Sequence, residues 1–269
     1  MVVKLKIIFA AAVFFLSSCE LDVLGIFVSE DLDKRLKYAS EFNFVKDEWR
    51  SLKVGDNYNF IVVSDTHIIG SNAHKFENLK NHINGAKFVV VTGDITQSGT
   101  SEELNRFIEI SESLGVPCFP VIGNHDIYFN DHNWHGKIGS TRYRIDTDTS
   151  TLFILDSANA FFGEEQIAWF ESELKTAKPD TFIFTHDNFF TDNIPNPQRQ
   201  QFTNYLERSL FISLLNEKCK AVFSGHIHKR VINHIKNTDY VTLEDFIGHK
   251  VICRVFVSGG AISWQFENF

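Results

Sequence analysis

Five short motifs hold most of the residues able to do chemistry: Asp65-Thr66-His67, Gly93-Asp94, Gly123-Asn124-His125-Asp126, a lone His186, and Gly225-His226-Ile227-His228. They offer the carboxylates of Asp65 and Asp94, the amide oxygen of Asn124, and the imidazoles of His67, His186, His226 and His228, with no cysteine among them. Hard oxygens mixed with imidazole suit zinc, iron, manganese or nickel better than calcium. Seven such ligands are a plausible set for two first-row ions, because one carboxylate can bridge a pair. Each motif alone is weak, since Gly-Asp and Gly-Asn are common in turns. All five in one domain-sized stretch are not explained by turn chemistry.

The elements that position them read as strands. Apolar runs at Tyr58–Ser64, Lys87–Thr92, Cys118–Ile122, Thr181–Thr185 and Ala221–Ser224 each end just before a motif. Sites in open α/β sheets form outside the carboxyl ends of strands. Gly93, Gly123 and Gly225 let the chain turn sharply where side chains converge. Between the runs lie amphipathic stretches. Thr100 with Glu103 forms a capping box ahead of Leu104, Phe107, Ile108 and Leu114, and Glu164–Lys175 carries Ile167, Phe170 and Leu174 at helical spacing beside Trp169. After Val231, strand-like runs at Val241–Leu243, Val251–Val257 and Ala261–Phe266 predict a second sheet of antiparallel neighbours packed on the first. The fold class is α/β.

The ordered motif set resembles the calcineurin-like metallophosphoesterase superfamily over nearly all of residues 58–269. The resemblance implies two mixed β-sheets packed as a sandwich between helical layers. It implies one metal on Asp65, His67, Asp94 and His228, and a second on Asp94, Asn124, His186 and His226, with Asp94 bridging. Two divalent or trivalent transition-metal ions (manganese, iron or zinc) are the implied cofactors. In that family, a metal-bridging hydroxide attacks phosphorus in line. By the same resemblance, His125 contacts the phosphate and protonates the leaving oxygen, and Asp126 orients His125 through a hydrogen bond.

Departures narrow the branch. Gly93-Asp94 continues Ile95-Thr96-Gln97-Ser98-Gly99, without the arginine of the protein serine/threonine phosphatases. Gln97 or Ser98 stands where purple acid phosphatases place a metal-binding tyrosine. The stretch, with Leu155-Asp156-Ser157 and the helix after it, looks most like cyclic-nucleotide-phosphodiesterase-like members. His186 is followed by Asp187 and not by a small or apolar residue. The region Ile127–Arg142, with His132, Trp134 and His135, is either a substrate-facing loop with an aromatic for a base or sugar, or an ordinary surface loop. His74, His82, His234 and His249 are isolated and read as structural or surface residues.

The N-terminus reads separately. Lys4 and Lys6 precede an apolar stretch, Ile7–Leu16, that is shorter than the roughly 20 residues a membrane span needs and suits a signal-peptide core. Leu16-Ser17-Ser18-Cys19 then resembles a bacterial lipobox. The expected organisation is a signal peptide over 1–18, a lipidated Cys19 with a tether over 19–55, helical around Leu32–Trp49, and a catalytic domain over 56–269. Such a protein would sit outside the cytoplasm on a lipid anchor, and two or more acyl chains hold stably.

Removing residues 1–18 takes away Lys4 and Lys6 and moves the formal charge from −8 to −10. That balance argues against a nucleic-acid polymer, whose binding needs lysine and arginine on phosphates. Small phosphate esters fit, since bound cations would make the site locally positive. Cys118, Cys219 and Cys253 lie in apolar runs and read as buried thiols. The leading expectation is a phosphoesterase for phosphodiesters or phosphomonoesters. The alternatives are a non-catalytic metal- or ligand-binding lipoprotein on the same fold, and a metal-storage or sensing protein. Oligomeric state leaves no trace in the sequence.

Overall fold

Val89–Thr92 and Cys118–Val121 are buried at every position, as strands covered on both faces must be. A computed structural model describes residues 32–38, 43–129, 131–190, 205–215 and 219–268. Its strands are β1 Asn57–Val63, β2 Val89–Thr92, β3 Cys118–Val121, β4 Tyr143–Asp146, β5 Ser150–Ile154, β6 Asp180–Phe184, β7 Cys219–Ser224, β8 Val231–Ile235, β9 Thr238–Thr242, β10 Val251–Ser258 and β11 Ala261–Asn268. They form a five-stranded sheet, β11-β10-β1-β2-β3, and a six-stranded sheet, β4-β5-β6-β7-β9-β8. Strands β1, β2 and β3 run parallel, as do β5, β6, β7 and β9. Pro120, which has no N–H to give a ladder, lies in the edge strand β3.

Strict alternation makes the layers. In β6, Phe182 and Phe184 join the core shared with the first sheet, while Ile183 joins a second apolar cluster. Ala221 and Phe223 of β7 divide from Val222 in the same way. Phe60 of β1 meets Phe182, Phe184 and Phe223 at ring-centroid distances of 5.3, 6.1 and 6.5 Å, so the two sheets face each other through phenylalanine. On the outer side of the second sheet, Phe153 and Ile183 cluster with Phe170 of the helix Glu164–Leu174 and Phe211 of the helix Tyr205–Leu215. Beyond the first sheet, Phe76 stacks on Phe107 of the helix Ser101–Ser113. That helix has the predicted capping box, with Thr100 Oγ1 accepting from Glu103 N and Glu103 Oε2 accepting from Thr100 N. The result is helix, sheet, sheet, helix.

Three expectations need correction. The C-terminal strands build no sheet of their own: β10 and β11 extend the first sheet antiparallel to β1, whereas β9 joins the second sheet parallel to β7. Periodicity reports a half-buried strand but not its neighbour. Among the described residues, the segment Leu32–Trp49 is not one helix, having a short α-helix at Leu32–Leu36 and a 3-10 helix at Asp47–Arg50. It packs on the domain, with Leu32, Leu36, Phe44 and Val45 buried and Leu52 N bonded to Asp146 O. Finally, Trp134 and His135 face inward on a short helix, His132–Lys137, with Trp134 fully buried and Tyr38 against the His135 ring at 4.2 Å. Neither can meet a substrate. His132 stays exposed.

Cys118, Cys219 and Cys253 are buried and unpaired with one another, and burial pushes the Cys118 thiol up to about 12. The predicted signal peptide, lipobox and Cys19 lie outside the described residues. No helix among the described residues is long and apolar enough to cross a membrane.

Candidate metal centre

Parallel strands from both sheets end at one place. Asp65 and His67 follow β1, Asp94 follows β2, Asn124 and His125 follow β3, His186 follows β6, and His226 and His228 follow β7. The loops after β1 and β2 stay paired beyond the strands, with Asp65 N on Gly93 O and His67 N on Asp94 O. The sheets are then stitched together across the site. His186 Nδ1 donates to Thr92 O at 3.0 Å, and His226 N donates to Asp65 Oδ2 at 3.2 Å. Giving its Nδ1 proton to Thr92 leaves His186 with Nε2 for the site, 3.3 Å from Asp94 Oδ2.

The backbone is turned hard to achieve this. Asp65, His67, Asp94, His226 and His228 all have positive φ, from 37° to 73°. Non-glycine residues seldom adopt that region, and such strain gathers at functional sites. Gly93 has φ +87°, and a Cβ there would overlap the His186 ring. Gly225 is needed for a different reason: its φ is ordinary, but a Cβ would collide with Ser64 Oγ and Asp65 Oδ2.

Ligand atoms converge in overlapping groups. Asp65, His67 and His228 form one; His67, Asp94 and His125 another; Asp94, His186 and His226 a third, each within 4.8 Å. Asp94 lies between the first and the last, 3.8 Å from His67 Nε2 and 3.3 Å from His186 Nε2. Asn124 Oδ1 completes the second side, 3.0 Å from His186 Nε2 and 3.1 Å from His226 Nδ1. The seven expected ligand residues therefore sit around one centre.

This donor set fits cations. Asp65 and Asp94 are buried carboxylates, a costly arrangement unless positive charge is at hand. Asp65 Oδ1 has His228 Nε2 at 3.2 Å but makes no well-formed hydrogen bond. His67 Nε2 and His228 Nε2 confront each other at 3.3 Å. Without metal, protons must do the neutralising. Burial opposes the charge on His186 and His228, but Asp94 acting on the first and Asp65 on the second outweigh it and hold them up, to about 10 and about 9. Burial likewise opposes the Asp65 charge, and the facing His228 overrides it to leave the carboxyl at about 2. Asp94 is held well below the usual carboxylate range, against its burial, by His186, His125 and His67. Burial lowers His67. A metal ion would replace those protons.

His125 and Asp126 differ from expectation. Asp126 makes no bond to the His125 ring. Its buried carboxylate accepts from Thr96 N at 2.9 Å, Thr96 Oγ1 at 2.8 Å, Gly123 N at 2.9 Å and Ile95 N at 3.3 Å, binding the loops after β2 and β3 together. Burial, helped by nearby Asp94, raises it to about 6. His125 is oriented instead by the main chain, with Nδ1 on Gln97 O at 2.8 Å and its N–H on Asp94 Oδ1 at 2.9 Å. The role of Asp126 is scaffolding, decided by which face of a turn the carboxylate occupies.

A family model described as calcineurin-like phosphoesterase matches residues 58–230. The chain belongs to that family. As a calcineurin-like phosphoesterase it has relatives of known name: it is 29% identical over 194 residues to a probable glycerophosphodiester phosphodiesterase of Arcobacter nitrofigilis, covering 63% of this chain and 71% of the relative. To a probable cyclic nucleotide phosphodiesterase of Fibrobacter succinogenes it is 25% identical over 198 residues, 67% and 75% of the two chains. Its fold matches a dimetal phosphatase of Danio rerio with a TM-score of 0.65 at 13% identity, over 78% of this chain and 96% of that one. This phosphoesterase family implies a dinuclear metal centre, and the convergent ligand groups lie where one would form.

Sequence reasoning assigns no role to the residues behind the site, although Asp156, Ser157 and Asp187 stand in stretches compared with the family. Ser157 Oγ accepts from the backbone N–H groups of His186 and Asp187 at 3.0 and 2.9 Å, fixing the loop after β6. Asp187, noted only as a departure, is buried with Oδ1 3.5 Å from His226 Nε2, the nitrogen opposite the one that faces Asn124. Arg35 is fully buried against Asp156, the residue before Ser157, with bonds of 3.0 and 3.0 Å. Nothing local in the sequence marks Arg35.

Proposed function

We propose that this phosphoesterase hydrolyses small phosphodiesters. In this reading Asp65, His67, Asp94 and His228 hold one transition-metal ion, and Asp94, Asn124, His186 and His226 hold the other, with manganese, iron or zinc in each. The observation that carries it is the sharing of Asp94 between two ligand groups at the ends of parallel strands from both sheets. When bound, the metal pair supplies Lewis acidity and an activated water. The protein's own residues do the rest. Buried Asp65 and Asp94 balance the ionic charge, and Thr92 O and Asp187 hold the rings of His186 and His226 in orientation. His125 Nδ1–H donates to Gln97 O, and the ring's Nε2–H is then the proton of the general acid. His125 gives that proton to the leaving oxygen as the phosphorus–oxygen ester bond breaks and a water oxygen joins phosphorus. Acidic overall charge favours small substrates over nucleic-acid polymers.

The relatives named for glycerophosphodiesters and cyclic nucleotides support a diester as the substrate. The lipobox-like Leu16-Ser17-Ser18-Cys19 supports an extracytoplasmic lipoprotein, cleaved after residue 18 and tethered to a membrane through Cys19. The decisive experiment loads the purified protein with manganese and compares hydrolysis of bis-p-nitrophenyl phosphate and p-nitrophenyl phosphate, with Asp94→Asn as control. Diester turnover that vanishes in the variant is the expected result. A monoester preference would move the substrate class, and background rates in wild type with manganese, iron and zinc would refute the reading. Loss of palmitate labelling in Cys19→Ser would support the anchor, and unlabelled wild type would refute it.

A further inference from the structure

A line of rings leaves the centre on one side. The His67 ring meets the His125 ring edge-on at 4.6 Å and 88°. His125 is in turn stacked with Tyr128 at 5.7 Å and 24°, and Tyr128 meets Phe129 at 5.3 Å and 86°. The 3-10 turn His125–Ile127 produces this order, because its last bond, Tyr128 N to His125 O, returns Tyr128 to the face of His125. Phe129 ends the line with 67% of its surface exposed, whereas Trp134, the aromatic the sequence offered for substrate contact, is wholly buried.

We propose that Tyr128 and Phe129 form the subsite for the organic group on the leaving oxygen, and that they select a planar aromatic group, as on a nucleoside, over glycerol. The inference rests on the phosphodiesterase reading, in which His125 protonates the leaving oxygen. That oxygen must lie within hydrogen-bond reach of His125, so its substituent extends over the neighbouring rings. An aromatic ring gains from stacking on Phe129 what a short polyol cannot. Stacking of a base on one side chain is worth enough that removing the side chain weakens binding about 10-fold or more. Phe129 is exposed and takes no part in the core, so its replacement leaves the fold intact.

The test measures kcat/KM for 3′,5′-cyclic adenosine monophosphate and for glycerophosphoglycerol with manganese-loaded wild type, Phe129→Ala, Phe129→Leu and Phe129→Trp. The selectivity ratio, nucleotide over glycerol diester, is expected to fall about 10-fold in the alanine and leucine variants and to hold in the tryptophan variant. An unchanged ratio in the alanine and leucine variants would overturn the subsite. Calorimetric titration with adenosine monophosphate and glycerol 3-phosphate separates this from the underlying reading. If wild type turns over neither of these diesters nor bis-p-nitrophenyl phosphate, the hydrolase reading fails. The subsite then stands only if adenosine monophosphate binds and loses affinity in Phe129→Ala more than glycerol 3-phosphate does.

Discussion

Replacing Arg35 by methionine should destabilise a protein whose matched family region begins more than twenty residues later, at residue 58. Arg35 and Asp156 are each 0% exposed, and the guanidinium makes two bonds of 3.0 Å to the carboxylate and one of 2.6 Å to Asn159 Oδ1. Removing the cation leaves a buried carboxylate without its countercharge, which costs about 3–5 kcal/mol. That is a large share of the ~5–15 kcal/mol by which a domain is stable. At roughly 2–4 °C per kcal/mol for a domain of this size, the midpoint should fall by about 6–20 °C. Asp156 adjoins Ser157, whose hydroxyl holds the N–H groups of His186 and Asp187, so the second ligand group should loosen too. Urea unfolding and manganese titration measure both effects. The double variant Arg35→Met/Asp156→Leu should recover most of the stability, because no charge is then left buried. A loss below about 1 kcal/mol in the single variant would refute the inference that residues 32–38 are a structural part of the domain.

Three more outcomes follow from the site. Asp187→Asn should weaken manganese binding about 10- to 100-fold, because His226 Nε2 loses its carboxylate partner; unchanged affinity by calorimetry would make Asp187 a bystander. Gly93→Ala should cost about 1–3 kcal/mol or more and abolish activity, since the new methyl overlaps His186 at a backbone of φ +87°; wild-type melting and turnover would refute it. Metal-free protein should depend on pH in a defined way. His186 and His228 are raised from 6.5 to about 10 and about 9, so their stabilisation is complete below pH 6.5 and is lost as pH rises through 9 to 10. Asp65, lowered from 3.8 to about 2, contributes above 3.8 and is lost as pH falls through 2. The midpoint in chelator should therefore drop above pH 6.5, and manganese should remove that drop while releasing protons on binding.

The ligand types, their order and their places after strands were legible because they are local. An apolar run, a glycine and a polar cluster occupy adjacent positions, and the short apolar runs Thr181–Thr185 and Ala221–Ser224 report buried strands without any knowledge of their neighbours. Convergence was not local. His186 reaches Thr92 O across 94 residues, and only the packing of Phe60 against Phe182, Phe184 and Phe223 brings those strand ends together. Tertiary context alone turned Asp126 from a partner of His125 into a clamp on Thr96 and Gly123. It also buried Trp134, left Phe129 outside, and put β10 beside β1. Arg35 shows the limit most sharply, since a charged side chain reads as solvent-facing until a buried carboxylate 121 residues away gives it a partner. Residue chemistry and short-range pattern are carried by the chain itself, whereas burial, pairing and hydrogen-bond choice exist only once distant segments meet.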